Sequence, residues 1–99
     1  MTIATIKQAN VNAGCFFFEP SAMRFFRSRV CADVFEGPGG IYFVTSEQFE
    51  ASDGWRAARR YTVHGFDPAT GHIRGHDAFQ KHATRRSALR AAKRASLNQ

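Results

Sequence analysis

Cysteine is scarce in this chain. Only Cys15 and Cys31 occur among 99 residues, too few for a disulfide framework, and neither belongs to a C-x-x-C pair. Long apolar runs are missing as well: the densest, GCFFF at 14–18, falls far short of a membrane span. No basic leader with an apolar segment and a small-residue cleavage site opens the sequence. Together these shortages lead us to expect a cytoplasmic protein with reduced thiols and no membrane partner.

Groups for catalysis are equally thin. Glu36, Glu47, Glu50 and Asp53 gather around the middle of the chain without an evident pairing. His72 and His76 stand four apart, which in a strand separates them by roughly 13 Å. No acidic residue completes an H-E-x-x-H metal motif. The GPGG stretch at 37–40 lacks the lysine and following hydroxyl of a phosphate loop and fits a bend. A Cys–His pair drawn from Cys15 or Cys31 with His64 is a nucleophilic option, but two buried, inert thiols are the favoured reading. The expectation is no catalytic residue, no metal site and no cofactor.

What the chain does hold is aromatic carbon and unevenly placed charge. Ten Phe, two Tyr and one Trp can build a core from few large side chains, and 99 residues suffice for one domain. The net charge is +6. Residues 1–55 carry four basic and six acidic side chains, whereas residues 56–99 carry ten basic and two acidic. Positive charge concentrated in one half sets up a field that attracts anionic partners.

Residues 1–14 are polar without a sustained period and read as a loose lead-in to a single domain over 15–99. Ser21 is a candidate cap for a short helix through Met23, Phe25 and Phe26 with Arg24, Arg27 and Arg29 outward, although a strand is open for the same segment. CADVFE alternates as a strand does, and IYFVTS, apolar on both faces, predicts a central strand. RRYTVHGF and HIRGH follow as strands joined by the DPATG hairpin, with Asp53-Gly54 marking an earlier tight bend. The predicted fold class is α+β: a small antiparallel meander of three to four strands packed against a C-terminal amphipathic helix.

That helix is ATRRSALRAAKRAS, with Thr84 as its cap. At 100° per residue Ala88, Leu89, Ala91, Ala92 and Ala95 share one side, and Arg86, Arg90, Lys93 and Arg94 share the other. Arg85 and Arg86 sit in the first turn, where the helix is already electropositive. A choice against local preference often marks a functional site. With Arg59, Arg60 and Arg74 on the strands, these residues form the candidate binding set, and His64, His72 and His76 lie among them. Tyr61 and Phe66 read as core aromatics, while Trp55 beside a turn is open.

The run RRYTVHGFDPATGHIRGHDAFQKHATRRSALRAAKRA resembles the arm-type DNA-binding domain of tyrosine recombinases, covering about residues 41–96. That resemblance implies a three-stranded sheet placed in the DNA major groove, although HDAFQKHAT is longer than the family's step into the helix and lacks its glycine. The strand order and basic terminal helix are similar to those of double-stranded RNA-binding domains, with Arg85, Arg86 and Ala88 a loose echo of their helix start. From Met23 to Ala92 the pattern MRFF…SRV…GPGGIYFVTSE…RYTV…FDPATG also resembles short phage and mobile-element proteins, some of which inhibit host defence, anti-CRISPR proteins included.

Three functions follow as expectations. The first is a non-enzymatic binder of nucleic acid or a nucleoprotein complex in a bacterial host, holding phosphates with Arg59, Arg60, Arg74, Arg85, Arg86, Arg90, Lys93 and Arg94. The second is an anti-CRISPR-like inhibitor docking on an acidic protein patch. The third is a homodimer formed through a sheet edge in the CADVFEG…IYFVTS region.

Overall fold

The computed structural model describes residues 1–98; residue 99, the last of the range expected as one domain, lies outside them. Helix α1 (Ile3–Asn12) and the short α2 (Pro20–Phe25) precede strands β1 (Arg29–Gly37), β2 (Gly40–Glu47), β3 (Arg60–Asp67) and β4 (His72–Gly75), and α3 (Arg85–Leu97) closes the order. The strands pair antiparallel as β1-β2-β3-β4. The α+β meander with a C-terminal helix is thus what the sequence pattern predicts.

β2 is bonded along both edges, and every residue from Ile41 to Glu47 is buried. Its alternation feeds two cores. Tyr42 and Val44, with Val63 of β3, pack against Ala88, Ala92 and Ala95 of α3. Ile41 and Phe43, with Phe66, pack on the opposite face against Ile6 of α1 and the Phe17–Phe18 pair. Tyr61 and Phe66 therefore belong to the cores, whereas Trp55 is exposed. Because β2 is internal, the sheet edges are β1 and β4.

The alanine stripe lets α3 lie close to the sheet. Thr84 caps it, its hydroxyl accepting from the Ser87 N–H at 3.2 Å. At the far end the Gly39 N–H donates to the Ser96 carbonyl at 2.9 Å, and a Cβ on Gly39 would collide with the Ala95 and Asn98 carbonyl oxygens. A glycine in the β1–β2 turn is what allows the helix terminus to seat there.

Most of the polar lead-in 1–14 is the helix α1. Thr2 caps α1 by accepting from the Thr5 N–H, and Ile6 is fully buried. α1 docks on the β3–β4 hairpin, where Asn10 Nδ2 donates to the Gly71 carbonyl at 2.9 Å. Gly71 has φ +78, and an added Cβ would meet the Ala9 carbonyl oxygen at 2.6 Å, so both backbone and space require glycine there. α1 therefore covers the second sheet face, which the terminal helix leaves bare. The helix predicted near Ser21 is α2, which begins at Pro20. It ends with Ser28 N–H on the Met23 carbonyl and Arg27 at φ 48, a helix-end position where glycine is the usual occupant.

Candidate functional site

The structure divides the predicted cations into four groups. Arg86, Arg90, Lys93 and Arg94 are exposed on the outer side of α3, and among the described residues none reaches a carboxylate within ion-pair distance. Arg74 is exposed on β4, its guanidinium lying over Gly65 on the Tyr42 side of the sheet. Arg60 serves the fold instead, with Nε donating to the Gln80 carbonyl at 2.6 Å and a terminal nitrogen to the Lys81 carbonyl at 2.8 Å. Its guanidinium pins the segment that returns the chain to α3.

Arg59 and Arg85 belong to a second surface that brings in arginines from the N-terminal half. Arg24, Arg27, Arg29 and Arg59 line an open cavity of about 410 Å³. Arg29 and Arg59 also wall a neighbouring one of about 310 Å³, together with Arg85 and Tyr61. Arg59 is held in place, donating to the Arg27 carbonyl at 3.1 Å and to Ser46 Oγ at 2.9 Å. Counter-charge is limited. Asp33, in the bulge where β1 shifts register between Val30 and Val34, meets Arg85 at 3.3 Å. Glu50 takes both Arg27 and Arg56, and the Arg27 hydrogen bond holds its carboxyl below the usual range. The exposed first-turn charge on Arg85 is thus matched in part by Asp33, while Arg86 has no such neighbour among the described residues.

A third feature lies beneath α2 and was hidden in the sequence. Residues two apart on neighbouring strands, Thr45 and Glu47 on β2 and Thr62 and His64 on β3, bring their polar groups together. Glu47 accepts from Thr45 Oγ1 at 2.6 Å and from Thr62 Oγ1 at 3.1 Å. Thr45 Oγ1 also meets His64 Nε2 at 2.7 Å, and the His64 ring forms an aromatic trio with Phe17, edge-on to it, and Phe43, stacked on it. Burial pushes the Glu47 carboxyl up and the His64 imidazole down, the latter to about 4 against an opposing pull from Asp77. Neither group could be paired from spacing alone, since the pairing needs the β2–β3 register.

His82 makes a separate chain, with Nε2 on Asp77 Oδ2 at 2.9 Å and Nδ1 on Ser87 Oγ at 2.9 Å. The order carboxylate, imidazole, hydroxyl is that of a nucleophilic triad, but Ser87 is exposed in the first turn of α3 and the chain ties residues 77–82 to the helix start. Cys15 and Cys31 are free thiols, and burial pushes the Cys31 thiol up, with Arg85 pulling the other way. Among the described residues no cluster of three His, Cys, Asp or Glu side chains is placed to hold a metal, and no helix is long and apolar enough to cross a membrane.

A four-stranded antiparallel meander layered between helices, with arginine-lined clefts along one margin, defines a small α+β domain. Residues 2–93 match the family of unknown function DUF7447, and the chain belongs to that family. No curated protein and no solved structure matches it.

Proposed function

We propose that this protein is a non-enzymatic binder of nucleic acid, alone or within a nucleoprotein complex. The observation that carries the reading is the pair of adjoining clefts sharing Arg29 and Arg59, which gather guanidinium groups from α2, β1, the β2–β3 connection and α3. Holding like charges together is unfavourable unless an anion relieves them, and arginine forks suit phosphate oxygens. The outer row of Arg86, Arg90, Lys93 and Arg94 widens the positive field. Arg27 adds to the case: it stands at φ 48, where glycine would be less strained.

The test is fluorescence anisotropy with labelled duplex and single-stranded DNA and RNA between about 50 mM and about 200 mM salt. Binding should weaken linearly on a log–log plot. Replacing Arg86, Arg90 and Arg94 together by Ala should reduce the slope by up to ~0.9 for each duplex phosphate that is no longer neutralised. Binding that ignores salt, or no binding to any of the four at low salt, would refute the reading.

A protein partner is the second reading, favoured by aromatic side chains left in water beside the arginines. Phe25 is 78% exposed and Trp55 60%. Aromatic and arginine side chains together are the usual anchors of protein interfaces. An inhibitor that docks on an acidic surface of a host complex would use both. Recovery of a host protein after nuclease treatment supports this reading over direct nucleic-acid binding.

A further inference from the structure

Beyond the basic surface, a cavity of about 550 Å³ opens beneath α2, within the range of about 300–1,000 Å³ typical of small-molecule sites. Its walls are apolar, with Phe17, Met23, Phe26 and Phe79 among them, and its polar side chains are Ser28, Thr45, His64 and Glu47. Among the described residues no lysine or arginine lines it. Glu47 is 2% exposed and turns its two oxygens to threonine hydroxyls, so the cavity offers a ligand neither a free anion nor a cation.

The hydrogen-bond chain has a direction. The Gln80 N–H donates to Thr62 Oγ1 at 2.8 Å, so the Thr62 proton goes to Glu47 Oε2. Thr45 gives its proton to Glu47 Oε1. Having used its hydrogen, Thr45 Oγ1 must accept from His64, which places the imidazole proton on Nε2. His64 Nδ1 is then a bare acceptor, and among the described residues it makes no hydrogen bond. Phe17 at 5.0 Å and Phe43 at 5.3 Å between ring centroids pack against the imidazole, and its bond to Thr45 Oγ1 sets its orientation.

We propose that this cavity binds a small, uncharged, largely apolar molecule that carries one O–H or N–H donor and gives that hydrogen to His64 Nδ1. Apolar walls supply most of the affinity and the fixed imidazole acceptor supplies the selection, while the Ser28 hydroxyl at the rim can turn to donate or accept. A ligand with the same body and no donor leaves a buried acceptor unmet, which lowers its affinity. The site adjoins one arginine cleft, sharing Met23 and Ser28 with it, but uses none of its arginines, so its failure would leave the nucleic-acid reading untouched.

The experiment is an NMR titration of the full chain, labelled with ¹⁵N, using 2-naphthol and 2-methoxynaphthalene as probes. They share a bicyclic body and differ in the donor. Saturable shifts should appear at Met23, Phe26, Thr45, His64 and Phe79, with 2-naphthol binding about five- to tenfold more tightly. The side-chain Nδ1 resonance of His64 should move with 2-naphthol and stay in place with its methyl ether. In His64→Phe the preference should vanish, and the Nδ1 signal of the unaltered protein serves as the readout if that variant fails to fold. Equal affinity for the two probes, or no saturable change around the cavity, would overturn the proposal.

Discussion

His64 should make the fold sensitive to acid, and the size of the effect follows from its burial. The imidazole is 8% exposed and its folded pKa of about 4 lies well below the ordinary 6.5. Between those two values the unfolded chain takes up a proton that the folded chain refuses. Stability is therefore lost as pH falls through 6.5, and the loss levels off near 4. The gap amounts to about 3 kcal/mol in all, of which about 2 kcal/mol is lost by pH 5. Glu47 acts with the opposite sign, since burial raises its folded pKa and protonation then favours the folded state.

Urea denaturation of the natural protein and of His64→Phe, each at pH 7 and pH 5, isolates the histidine contribution. The phenyl ring keeps the aromatic contacts with Phe17 and Phe43 but cannot titrate, and Glu47 keeps both its threonine donors in either protein. The natural protein should lose about 2 kcal/mol more than the variant on acidification. A difference below about 0.5 kcal/mol would refute the desolvation of the imidazole in the fold.

Three further outcomes are expected. Gly39→Ala should destabilise the protein by about 2 kcal/mol or more, seen as a lower melting temperature, because its Cβ would strike the carbonyl oxygens at the end of α3. Arg60→Ala should cost about 1–3 kcal/mol and raise hydrogen exchange around residues 80–82. It should leave the salt slope of nucleic-acid binding unchanged; a flattened slope would return Arg60 to the binding surface. His82→Ala should loosen the start of α3 by about 1 kcal/mol, while a fluorophosphonate probe should leave Ser87 of the unaltered protein unmodified. Labelling at Ser87 would show instead that the Asp77–His82–Ser87 chain activates a nucleophile.

Much of the fold was legible because its signals are local. IYFVTS is β-branched and aromatic on both faces, and it became the internal strand; Thr84 and the alanine stripe fixed α3 and the side it buries. The outward row of Arg86, Arg90, Lys93 and Arg94 follows from the same helical period. α1 escaped notice because Ile3, Ile6 and Ala9 make a thin stripe in a polar segment. Its partner, the bare second face of the sheet, exists only after the strands have paired.

The chain's own order of residues therefore determined the element types, the charge asymmetry and the side of α3 that meets water, since each depends on neighbours within a few positions. Tertiary structure alone decided which cations lie together. Arg59 met Arg24, Arg27 and Arg29 across 30 or more residues, while its neighbour Arg60 was turned to backbone carbonyls on the other side. It also decided that Glu47, Thr45 and His64 would share one buried chain, because alternation assigns a residue to a face only after register has fixed which strand lies opposite.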